Sequence, residues 1–286
     1  MRIVALLLLL TAGASPIASA QSPQARLEAE LAKAKADYDR DPTSAEHAIW
    51  LGRRLAYLGR FPEAIGVFTE GIAKHPDEPR LYRHRGHRYI TTRRFDLAIA
   101  DLQKASRLTT GKPDEIEPDG APNKAGIPRS TLQSNIWYHL GLAQYLTGDF
   151  NAALASYREG MKVSRVNDDM LVATSDWLYM TLRRLHRDAE AGQVLDPIRE
   201  QMDVIENGAY HARLLMYKGL RTPESVINLN TADDIQIATQ GYGVGNWYLV
   251  NGDRTRAKDM FDRVLAGKAT TAFGFIAAEA DVKRGF

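Results

Sequence analysis

The sequence contains no cysteine. Disulfides, thiol redox chemistry and attachment of a lipid to an N-terminal cysteine are therefore excluded. Excess charge of either sign is also lacking: 37 lysines and arginines face 35 aspartates and glutamates, a formal net charge of +2. A chain so balanced does not present the field expected of a protein whose main partner is nucleic acid or an acidic membrane. After the N-terminal segment, no apolar run approaches the roughly 20 residues that span a bilayer. No nucleophile motif, metalloprotease helix or phosphate-binding loop occurs, so no enzyme class and no cofactor is indicated.

What is present begins at the N-terminus. Met1 and Arg2 give a short positive start, Ile3 to Leu10 are apolar, and Ala18-Ser19-Ala20 supplies the small residues a signal peptidase needs. Residues 1–20 read as a signal peptide cleaved after Ala20, which sends the protein to the periplasm or outside the cell. The remainder has the balance of a soluble globular protein, with 44% hydrophobic and 25% charged residues over the whole chain.

A period of 34 residues organises the rest. Gly52 and Gly86 lie 34 apart, and each is followed twelve residues later by an alanine, Ala64 and Ala98. Gly141 and Gly245 have Ala153 and Ala257 at the same distance. Four residues beyond each alanine comes a large apolar residue: Phe68, Leu102, Tyr157 and Phe261. Small residues let two helices approach and large ones fill the groove between them. Two weaker copies keep the frame, one with Tyr179, Ala191 and Leu195, the other with Arg213, Ser225 and Leu229. Tyr179 and Arg213 stand where the small residue is expected, and Arg85 where a leucine is expected, so the middle of the array should pack less regularly.

In these features the chain resembles the tetratricopeptide repeat family. The resemblance lies in Trp137-Tyr138-His139-Leu140-Gly141, Gly148-Asp149-Phe150-Asn151-Ala152-Ala153, Leu51-Gly52, Gly59-Arg60-Phe61-Pro62-Glu63-Ala64 and Pro76. It implies an all-α, right-handed superhelical solenoid of about six helix-turn-helix repeats. The expected organisation is an N-terminal capping helix within 21–44, repeats over 45–112 and 134–267, and a C-terminal capping helix within 268–286. Between the second and third repeats the spacing is 55 rather than 34, and the extra 21 residues fall within 113–133. Pro118, Pro122, Pro128, Gly120 and Gly126 forbid a regular helix there, so this stretch is expected to be a loop. Its acids Asp114, Glu115, Glu117 and Asp119 lack the ligand spacing of a calcium loop.

The resemblance also implies that the first helix of each repeat lines the concave surface. Carried through the repeats, one register on that helix holds Trp50, His84, His139, Trp177, His211 and Gly243. The register before it holds Ile49, Arg83, Tyr138, Asp176, Tyr210 and Tyr242. Two readings stand for this stripe: flat rings with a polar tip that grip an extended peptide or a sugar face, or rings that pack helix against helix. A basic cluster runs through Arg80, Arg83, His84, Arg85, His87, Arg88, Arg93 and Arg94, with Arg53 one repeat earlier in the register of His87. Arginine forks suit a carboxylate or phosphate, whereas a solvated face paired with nearby acids is the plain alternative. Family members that clamp a peptide C-terminus use lysine and asparagine where this chain has Ile49, Arg53 and His84, so that clamp does not carry over.

His84 and His87, three residues apart, lack a third metal ligand in sequence, so no metal is expected. Gly241-Tyr242-Gly243-Val244-Gly245 has the wrong glycine spacing for a nucleotide loop and reads as a locally flexible first helix. The candidate partner-binding residues are thus Trp50, Arg53, Arg83, His84, His87, Tyr138, His139, Trp177, Tyr210 and His211. The expected partner is a protein or extended peptide, with a glycan as the alternative and a cell-envelope enzyme as a third.

Overall fold

A computed structural model describes residues 22–118, 120 and 122–286. The segment read as a signal peptide lies outside the described residues. The described chain is helical, and its repeats follow the 34-residue frame. Helix α1 (Pro23–Arg40) precedes the pairs α2 (Ala45–Tyr57) with α3 (Phe61–Lys74), α4 (Pro79–Thr91) with α5 (Phe95–Thr109), and α6 (Leu132–Thr147) with α7 (Phe150–Val163). Next come α8 (Asp168–Arg184) with α9 (Asp188–Val194) and α10 (Gly208–Tyr217) with α11 (Pro223–Val226). The last pair starts with α12 (Asp234–Gln236), which runs through a π-helical turn (Ile237–Gly241) into α13 (Tyr242–Val250), packed against α14 (Arg254–Ala266). The chain ends in α15 (Phe273–Arg284).

Local chemistry sets the helix starts. Ser22, Ser44, Asp149, Asn167 and Asp253 accept backbone N–H groups of the first turn that have no helical partner. Thr131 and Ser134 cap α6 reciprocally. The turn between paired helices needs a left-handed residue, supplied by Gly59, Gly148 and Gly252. Arg93 and His186 adopt the same conformation, with φ of 60° and 57°, at a cost of about 1–2 kcal/mol each.

The small and large residues of the repeat frame meet as the spacing requires. A Cβ placed on Gly86, Gly141 or Gly245 would lie 2.8 Å from Leu102, 2.7 Å from Tyr157 and 2.7 Å from Phe261. On Gly52 it would run into the Phe68 ring. Ala64, Ala98, Ala153 and Ala257 are wholly buried at the same crossings. The fourth repeat keeps Ala191 and Leu195 buried, but α9 is short and irregular chain follows it. In the fifth, Ser225 is exposed and α11 is only 4 residues long.

First helices touch the first helices of neighbouring repeats, α2 with α4, α4 with α6, α6 with α8 and α8 with α10, which places them on the tighter, inner side. Two parts of the chain lie against that side. One is the insertion after α5. The other is α15, which does more than cover the last repeat: it packs on α13, α14 and the π turn and reaches back to α6. Glu279 receives Arg93 at 2.8 Å, and Arg284 donates to the Leu146 carbonyl at 3.0 Å. Asp281, fully buried, accepts from Arg184, Arg284 and the Tyr242 hydroxyl.

The run Gly241-Tyr242-Gly243-Val244-Gly245 is packed rather than flexible. Gly241 faces Val264, Gly243 leaves the space that Arg213 fills, and Gly245 faces Phe261. The absence of side chains serves close approach at three neighbours.

Candidate partner-binding site

The basic cluster separates by helix face. Arg80 pairs with Glu46 at 2.6 Å and Glu78 at 2.8 Å, Arg85 grips Asp101 with two bonds of 2.7 and 2.8 Å, and Arg93 holds Glu279. These arginines have structural partners. Arg83, His84, His87 and Arg88 instead turn inward with Arg53 and Tyr57 of α2, around a cavity of about 180 Å³.

The insertion lines one side of this cavity with Glu117, Pro118 and Ser130. Its backbone is extended around Ile116, which pairs in antiparallel fashion with Thr131. Glu117 is 5% exposed, with Arg83 Nη2 and His84 Nε2 each 3.1 Å from its carboxylate and Asn135 Nδ2 at 2.5 Å. Arg53 donates to the Pro118 carbonyl at 2.8 Å, and Arg54 to that of Gly120 at 2.7 Å. Arg54 also pairs with Glu30 of α1 at 2.6 Å.

Burial sets the protonation states. Burial opposes ionisation of Glu117, but the neighbouring Arg83 and His84 outweigh it and hold the carboxyl well below its usual range. Burial, and then the Arg83 charge, push His84 down to about 3, so its ring is neutral. Its Nδ1 lies 2.9 Å from Arg83 Nη1, a contact in which the guanidinium donates. That leaves the proton on Nε2, facing Glu117. His139 is likewise pushed to about 3 by burial and then by Arg83, and its Nδ1 lies 2.6 Å from the Asn135 carbonyl, which must accept a proton from it. Burial also lowers His87, and it holds Arg88 at about 10.

The ring stripe divides between two roles. Trp177 is 1% exposed, lies edge-on to Tyr145 and stacks on Tyr242, so no partner reaches it. Its indole N–H donates to Tyr138, whose hydroxyl is 2.7 Å from that of Tyr210. His139 is buried against His87 and Phe273 of α15. His211 is half-buried, its Nε2 2.6 Å from the Arg199 carbonyl. Trp50 is half-buried, with the Arg53 and Arg54 guanidinium groups 4.5 and 5.0 Å from its ring centre. The structure therefore brings Arg53, Arg83, His84 and His87 together at one cavity, with Trp50 beside Arg53 but lining a separate pocket between α1 and α2, while Tyr138, His139, Trp177 and Tyr210 pack helices together and His211 ties α10 to the irregular chain after α9.

Arg54, Tyr57, Glu117 and Asn135 are participants that the sequence does not single out. Glu117 is one of four acids in the insertion, and nothing local marks it as the one that turns inward. Asn135 is polar at a first-helix position that the repeat frame leaves unspecified.

Comparison with known proteins agrees with this architecture. Residues 51–113 and 134–167 match family models described as tetratricopeptide repeat. The Hsp70-Hsp90 organizing protein of Triticum aestivum is 28% identical over 132 residues, which is 46% of this chain and 19% of the relative. Hsp70-Hsp90 organizing protein 1 of Glycine max is 27% identical over 146 residues, 50% of this chain and 22% of the relative. The chain thus spans about a fifth of the length of these curated relatives. A solved tetratricopeptide repeat protein from Parabacteroides merdae shares the fold with a TM-score of 0.51 at 13% identity, over 89% of this chain and 93% of that one. With the glycine-alanine frame seated at its helix crossings and two stretches matching the repeat models, this chain carries tetratricopeptide repeats and folds as their helical solenoid.

Proposed function

We propose that this protein is a non-catalytic scaffold of the cell envelope that holds an extended peptide or partner protein against the first-helix face of its repeats. One observation carries the reading: that face already receives extended backbone. Arg53 and Arg54 on α2 take carbonyls of the insertion, while Arg83 and His84 on α4 flank its carboxylate. Donors spread over two helices suit a partner that lies across the repeats.

The repeat matches support a role in protein interaction, and the printed names of the plant relatives place those proteins between two others. The envelope location rests on residues 1–20. A glycan partner has less support, because Trp177 and His139 are buried and the Trp50 ring has arginines beside it.

Capture from envelope extract tests the reading, using the mature protein and a Trp50→Ala/Arg53→Gln variant of equal helical content. A protein retained by the parent and lost by the variant is the expected result. Equal capture by both removes this face from the function. Binding to arrayed glycans that is insensitive to salt moves the function to sugars, since arginine-carboxylate contacts weaken with ionic strength.

A further inference from the structure

The insertion sits on the inner face as a ligand would. The Leu132 N–H donates to the Glu115 carbonyl at 2.8 Å, and the Glu117 N–H to the Ser130 carbonyl at 2.9 Å. The alternation of extended backbone sends Glu117 inward and Ile116 outward, where Ile116 is 62% exposed. What this stretch offers the repeats is one carboxylate and a few carbonyl groups. A brace built to stabilise the fold would bury apolar side chains, but Ile116 and Ile127 stand in solvent at 62% and 48%.

The same stretch is anchored on both sides of the contact. Asp114 accepts from the Thr131 hydroxyl at 2.6 Å and from the Gln133 N–H at 2.9 Å, which fixes it to the start of α6. Arg129 pairs with Asp203 at 2.7 Å, and its carbonyl accepts from Asn167 at 2.9 Å. Between these anchors, Glu117 and Pro118 are held by side chains that can donate equally to the carboxylate and carbonyl of any acidic extended chain.

We propose that residues 115–118 are an internal ligand that keeps the inner face of the first two repeats self-occupied. A partner enters by exchange, as an extended peptide that presents a glutamate or aspartate side chain to Arg83 and His84 and its following carbonyl to Arg53. The proposal rests on the scaffold reading and gives the partner its chemistry: acidic and extended.

The test uses a full-length variant in which residues 115–130 are replaced by a Gly-Ser-Gly turn, joining Asp114 to Thr131, whose side chains already touch. The probe is a fluorescent peptide of residues 112–118 with blocked ends, followed by anisotropy. The shortened protein should bind it at least tenfold more tightly than the parent, more weakly as salt rises, and should lose that gain when the peptide carries Glu117→Gln. If the shortened variant does not fold, the Glu117→Ala protein takes its place, with the same ordering expected. A folded variant that binds no better than the parent, or binds the Glu117→Gln peptide equally well, overturns the exchange. In that case salt-sensitive capture of a protein through Trp50 and Arg53 still leaves the scaffold reading standing.

Discussion

Arg213 of α10 lies wholly inside the solenoid and forms two bonds with the equally buried Asp176 of α8, one of them 3.0 Å long. It occupies the register where the repeat frame calls for a small residue. Gly243 in the next repeat supplies the missing volume, and the π turn leaves the Thr239 carbonyl to accept a third Arg213 N–H. Removing one member leaves an uncompensated buried charge, which costs about 3–5 kcal/mol. Asp176→Asn is therefore expected to lower the denaturation midpoint sharply. A change below about 1 kcal/mol contradicts a buried pair at this crossing.

Glycine positions give a second, paired expectation. Gly141→Ala drives a methyl group into the Tyr157 ring and should destabilise by about 1–3 kcal/mol. Gly66 is a solvent-exposed position of α3 with nothing within 4 Å of a Cβ, so Gly66→Ala should stabilise by about 0.5–1 kcal/mol. Thermal melting of the two variants checks the opposite signs.

These positions also show what was legible in the sequence. The spacing from Gly52 to Phe68 and from Gly141 to Tyr157 encodes a crossing of adjacent helices, and such local geometry can be read from one chain. Arg213 was visible only as a departure, because its partners come from the repeats on either side. Glu117 was less legible still. Which acid of a loop turns inward depends on pairing with residues thirteen and more positions away, on Arg83 of α4 and on Arg53 of α2. The inward reach of α15 was hidden for the same reason, since its apolar stripe fits a terminal cover equally well.

The buried histidines predict a pH dependence. An unfolded histidine takes up its proton near 6.5, whereas His84 and His139 in the folded protein do so only near 3. Between those values the unfolded chain binds more protons, so their contribution is fully present above about 6.5 and is lost as pH falls through this window. Melting temperature should drop from pH 7 to pH 4, and less steeply in a His84→Gln/His139→Gln variant. Parallel curves for the two proteins would contradict neutral buried rings.

The two tryptophans of the ring stripe should separate by role. Trp177→Ala removes a fully buried side chain and should cost about 3–5 kcal/mol. Trp50→Ala, at a half-buried edge, should cost less than half as much. Urea denaturation distinguishes them, and equal losses would place Trp50 in the core as well.

The most direct test of the scaffold account is the affinity of a captured partner for the parent and for Trp50→Ala/Arg53→Gln, measured by calorimetry after both proteins are shown to be folded. The account predicts at least a tenfold loss of affinity in the variant and weaker binding to the parent as salt is raised. Equal affinity for the two proteins would contradict it and place the partner on another surface.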